Sequence, residues 1–124
     1  HPQPVFTPEE LCRLVTANPG DALAQVWPHP VGRLVPGAAA DLVVVAQRSP
    51  DVFANLIGAT ERDLRLVLVS GAARYGTTTL MRHAGAAHPT PIRVAGRSRQ
   101  IDYGDSAVTW PSIKAALQAV RANP

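Results

Sequence analysis

Four histidines, one cysteine and nine carboxylates are the side chains from which this 124-residue chain could build metal or nucleophilic chemistry. Imidazoles that hold a divalent metal commonly stand at His-x-His or His-Glu-x-x-His spacing, so that both rings reach one ion from one element. Here the histidines occupy positions 1, 29, 83 and 88, and no two of them have either spacing. His29 and His88 lie beside prolines, in the manner of solvated loop residues. His83 falls near a predicted helix end, where an imidazole interacts favourably with the last carbonyls.

Cys12 lies beside the apolar stripe of the first predicted helix, next to Leu11, and no nearby histidine is placed to activate it, so it reads as a buried or half-buried structural thiol. A lone cysteine excludes an internal disulfide and a cysteine-based zinc site made by this chain alone, and it points to a reducing, cytoplasmic setting. Asp21, Asp41, Asp102 and Asp105 stand at element starts or in loops, where carboxylates accept backbone N–H groups. No Gly-x-Gly-x-x-Gly, Walker loop or Gly-x-Ser-x-Gly occurs, which leaves no motif for a phosphate cradle or a nucleophile elbow. The sequence therefore assigns no catalytic, cofactor-binding or metal-ligating residue.

Composition narrows the class. Apolar residues make up 46% and charged residues 17%, as in a folded domain. The 124 residues suffice for one modest core but not for the ~200 to 250 that a (β/α)₈ barrel requires. The formal charge is +3, yet eleven of the twelve basic residues are arginines scattered singly, without the run that tracks a phosphate backbone. With only 5% aromatics to stack on bases, no nucleic-acid partner is expected. No apolar run approaches the ~18 residues of a membrane span, so no membrane partner is expected either. The chain opens with His1-Pro2 rather than Met, as a processed or cleaved product would.

Thr7-Pro8-Glu9-Glu10 has the signature of a capping box with proline in the first helical turn. This helix carries Leu11, Leu14 and Val15 and is expected to end near Asn18-Pro19-Gly20. Asp21 would cap a second short helix bearing Ala22, Leu23, Val26 and Trp27. Prolines and glycines then punctuate residues 28 to 37 before the β-branched run Asp41 to Val45. A helical turn holds Val52, Phe53, Leu56 and Ile57, and Leu64 to Val69 forms a second strand. Both runs are apolar enough to predict buried strands of one sheet, in which Asp at Val44 or Val67 would cost several kcal/mol. Gly71 turns the chain into Ala72 to Tyr75, and Thr77 to His83 is predicted helical. A linker covers residues 84 to 91. Ile92 to Ala95 and Ser98 to Ile101, turning at Gly96-Arg97, form a further hairpin, and Trp110-Pro111-Ser112 opens a last helix ending at Asn123-Pro124.

Two segments go further. Val15-Thr16-Ala17-Asn18-Pro19-Gly20-Asp21-Ala22-Leu23, followed by Val31-Gly32-Arg33-Leu34-Val35-Pro36-Gly37-Ala38-Ala39-Ala40-Asp41-Leu42-Val43-Val44-Val45, resembles the C-terminal region of the amidohydrolase superfamily. There a T-x-N-P-A-x-A-L phrase on a late helix leads to G-x-L-x-P-G-x-x-A-D-L-V-V at the start of a composite β-domain. Arg65 to Val69, Gly71 and Tyr75-Gly76 are similar to the later V-x-x-V-x-V-x-G hairpin of that family. The match covers residues 7 to 76 and is faint beyond. It departs at Ala46-Gln47-Arg48, where many relatives are acidic, and at Val26-Trp27, where Leu-Gly is common.

The resemblance implies an α+β chain: the terminal helices of a TIM-barrel amidohydrolase over residues 1–27, its small composite β-sandwich domain over 28–105, and a C-terminal helix over 106–124. It implies a parent enzyme that hydrolyses carbon–nitrogen bonds with hydroxide on a divalent metal such as zinc. The family's ligands are an early His-x-His, a middle Lys or Glu, two later His and an Asp on the last barrel strand. All of them precede the helix with which this chain begins, so no cofactor is expected in the chain itself. Its expected partner is the remainder of the barrel or another copy of the chain. Two further readings are a standalone, non-catalytic β-domain that acts as a binding module and a small enzyme with an unrecognised site.

Overall fold

The structure, a computed structural model, describes residues 4–104 and 107–122. His1, Asp105 and the Asn123-Pro124 terminus lie outside the described residues. The chain is α+β, with one open five-stranded antiparallel sheet and five helices among those residues.

Helix α1 (Pro8–Val15) begins as expected, with the Thr7 hydroxyl accepting from the Glu10 N–H and the Glu10 carboxylate accepting from the Thr7 N–H at 2.8 Å. The next expectation is corrected. Asn18-Pro19-Gly20 does not end a helix but lies inside α2 (Ala17–Leu23), which follows α1 after the single residue Thr16. Proline at the third position of a helix removes an N–H that has no intrahelical partner, so it is tolerated there. Asp21 is consequently no cap: its carboxylate accepts from Arg33 Nε at 3.0 Å and Nη2 at 2.6 Å. Val26 and Trp27 lie beyond α2, and both are exposed. The loop that carries Arg33 comes very close to these helices. A Cβ on Gly20 would overlap the Val31 carbonyl, and one on Gly32 would overlap the Thr16 carbonyl.

Strands β1 (Leu42–Val45), β2 (Leu64–Val69) and β3 (Ala72–Gly76) form an antiparallel meander, with α3 (Val52–Ile57) inserted between β1 and β2. Helix α4 (Thr78–His83) then leads to β4 (Thr90–Val94) and β5 (Arg97–Ile101), and the sheet order is β1-β2-β3-β5-β4. The ladder between the meander and the β4–β5 hairpin registers two residue pairs, Tyr75 with Ile101 and Gly76 with Gln100, and the Asp102 N–H donates to the Arg74 carbonyl at 2.9 Å just beyond them. Helix α4 covers one face of the sheet. Met81, fully buried at 0% exposure, packs there with Leu66 and Ala73, while Leu68, Leu80, Ala84 and Ala86 flank them.

The two β-runs do share one sheet, but β1 is an edge strand rather than a buried one: Val43 is 58% and Val44 44% exposed. The several kcal/mol expected for Asp at Val44 therefore does not apply to the chain as it stands, because the charge would meet water. A register irregularity between Val44 and Val45 acts as a bulge, and it explains why Leu64 and Leu66 serve opposite faces although two residues apart.

Both hairpins turn on two residues at positive φ, Ser70-Gly71 and Ala95-Gly96, so the second turn sits one residue earlier than the sequence suggested. Two successive positive φ values are what a type I′ turn needs to match strand twist, and alanine is a poor choice for the first of them. Ala95→Asn should therefore stabilise the chain by about 1 kcal/mol, read as a raised urea midpoint. An unchanged or lowered midpoint would exclude this strain.

Helix α5 (Trp110–Ala122) carries Ile113, Ala116, Leu117 and Val120 at helical spacing. It makes at most marginal contact with the other elements, and Leu117 and Val120 are exposed.

Candidate functional site

On the sheet face opposite α4 the β1 edge is open, with Val43 exposed. Helices α1 and α3 pack on each other beside it, and between them and the sheet lies a cleft of about 690 Å³. Val43, Val45 and Leu64 form its floor, and Cys12, Leu56 and Ile57 form its wall. Strand alternation explains the floor, since Val43 and Val45 are two residues apart and share a face. The wall follows from the capping of the two helices. Asp51 accepts the Phe53 and Ala54 N–H groups at 2.9 and 3.0 Å, which fixes the start of α3. Asn55 accepts the Arg48 and Ser49 N–H groups and donates to the Ala46 carbonyl at 3.1 Å, which ties α3 to the end of β1. The lining is mainly aliphatic, so the cleft suits apolar side chains and not a polar reaction centre.

The residues singled out in the sequence do not converge. His29 is an exposed loop residue, His83 closes α4, and the His88 backbone N–H donates to Asp102 at 2.8 Å. Among the described residues no three His, Cys, Asp or Glu side chains come together as a metal-holding group. Cys12 is half-buried, as a structural thiol would be, but it faces the open cleft rather than a closed core.

Two polar nodes at the sheet's margins were not legible as sites. Asp102, 3% exposed, accepts from the His88 and Gly104 N–H groups at 2.8 and 2.6 Å. The His88 N–H first, then the Gly104 and Ala87 N–H groups and the Arg74 cation, hold its carboxyl below the usual range against the opposing effect of burial. Asp63 accepts from the Thr60 N–H at 3.1 Å and from Arg48 Nε at 2.6 Å, and these contacts likewise lower its pKa, the Thr60 N–H most. Such carboxylates commonly organise loops, the role that the sequence gives Asp102 at its loop.

Comparison with protein-family models, with curated proteins and with solved structures finds no match to this chain. No helix among the described residues is long and apolar enough to cross a membrane.

Proposed function

We propose that this chain is the C-terminal portion of a metal-dependent amidohydrolase acting on carbon–nitrogen bonds other than peptide bonds, and that it contributes the small β-domain and late helices around a barrel supplied elsewhere. The observation that carries the reading is the uncovered apolar surface formed by the edge strand β1, the cleft floor beside it and the exposed side of α1. Large apolar side chains contribute about 1.5 to 3 kcal/mol each when buried, so a surface of this kind is complete only against further polypeptide. The two halves of the first resembling segment also meet in space, through the Arg33–Asp21 ion pair and the close backbone approach at Gly20 and Gly32. In this reading the metal and the hydrolytic step belong to the remainder of the enzyme, because the ligands that the resemblance implies all precede the helix with which this chain begins. The other reading, a standalone binding module, draws on the cleft being already formed within this one chain.

The mass and sequence of the native gene product decide between them. A product long enough to include the ~250 residues of a barrel, with an upstream His-x-His, supports the first reading. A product that starts near His1 supports the second. Cys12 gives a chemical readout of the same question. It should react readily with a thiol reagent in the isolated chain and much more slowly in the full-length protein, and equal rates in the two would argue against docking over the cleft.

A further inference from the structure

At the end of the sheet where β2 and β5 begin, the fold gathers three arginines that the sequence keeps far apart. Arg48 follows β1, Arg62 precedes β2 and Arg97 is the first residue of β5. With Thr60 and Asp63 they line a pocket of about 300 Å³. Asp63 is already committed on both oxygens, Oδ1 to Arg48 Nε at 2.6 Å, and Oδ2 to the Thr60 N–H and hydroxyl at 3.1 and 3.2 Å. Arg62 and Arg97 have no ion-pair partner among the described residues. Three guanidinium groups against one carboxylate leave two positive charges facing the pocket.

The backbone behind it is fixed. Arg99, buried at 5% exposure, donates from Nη2 to the Arg62 carbonyl at 2.9 Å and from Nε to the Leu64 carbonyl at 3.2 Å. It thereby holds the segment that presents Arg62.

We propose that this pocket binds a doubly charged oxyanion of the phosphate type, free or as a monoester. A dianion balances the two uncompensated charges and relieves the repulsion among guanidinium groups held together. Guanidinium forks match the oxygen edges of a phosphate in two-point contacts, which lysines would not provide. The pocket has room for a phosphoryl group and a small substituent, and its polar rim is unsuited to an apolar ligand. This site is independent of the proposed enzyme class and stands or falls separately from it.

The test is calorimetric titration of the chain at low ionic strength with inorganic phosphate, with phenyl phosphate and with nitrate, alongside Arg62→Gln, Arg97→Gln and the double variant. The parent should bind phosphate saturably, each single variant about tenfold more weakly, and the double variant not measurably. Both positions are exposed, and unchanged melting of the variants in phosphate-free buffer confirms that they fold. Tighter binding of phenyl phosphate identifies a phosphorylated small molecule as the natural source, whereas inorganic phosphate binding at least as well identifies the free ion. Absence of saturable binding, equal affinity in the double variant, or nitrate binding as tightly as phosphate would each overturn the proposal.

Discussion

Replacing Arg99 by Met should lower the stability of this chain by about 3 kcal/mol, because two carbonyls beside β2 lose a charged donor in a site that admits little water. The size follows from where the side chain lies. Strand β3 ends at Gly76, opposite Gln100, so no strand residue stands between Arg99 and the start of β2. The guanidinium fills that gap, and it reaches Arg62, Leu64 and its own neighbour Ser98 with three hydrogen bonds of 2.9 to 3.2 Å. Lysine should not restore the loss, since an ammonium lacks the planar fork that addresses two carbonyls at once. Urea denaturation reads the effect as a fall in midpoint at constant slope. A variant within about 0.5 kcal/mol of the parent would show that water replaces the guanidinium at no cost.

Asp102→Ala is expected to cost about 2 to 3 kcal/mol, since it removes the acceptor for the His88 and Gly104 N–H groups from a buried position. The same contacts predict a pH dependence. The carboxyls of Asp102 and Asp63 titrate lower in the folded chain than in the unfolded one. Their contribution is therefore complete above the unfolded carboxylate value of about 3.9 and is lost as pH falls through the depressed folded values. Melting temperature should drop below about pH 4, and less steeply in Asp102→Ala than in the parent. Parallel profiles for the two proteins would remove Asp102 from this account.

Much of the secondary structure is legible in the sequence, and the reason differs by element. Thr7-Pro8-Glu9-Glu10 determines the start of α1 locally, because every group in the capping box lies within four residues. The runs around Val44 and Val67 read as strands from β-branching alone, but neither can say which is the edge. That depends on what stands beside Val43, and local sequence holds no information on it. Pro19 misled for a comparable reason, since a proline signals a helix end or a helix start according to what precedes it, and here a single residue, Thr16, separates two helices. The arginine pocket was out of reach. Arg48 and Arg97 are brought together by the strand order, and Arg62 is held beside them by the Arg99 guanidinium, none of which leaves a spacing to recognise.

The narrow junction between β3 and β5 bears on how the chain acquires its structure. The β2–β3 and β4–β5 hairpins each close over two-residue turns, so their pairings are local and form on the microsecond scale. Joining them requires α4 and its flanking loops to bring Tyr75 beside Ile101, with a ladder of two residue pairs as the immediate reward. Loop-closure entropy is thus met late, and the Arg99 hydrogen bonds to the Arg62 and Leu64 carbonyls, with the Asp102 N–H to the Arg74 carbonyl, help to offset it. Substitutions in either turn should chiefly accelerate or slow the first collapse. Substitutions at Arg99 should instead change the rate at which two preformed halves become one cooperative unit, visible as early protection of the hairpin amides and delayed protection along the junction in pulsed hydrogen exchange.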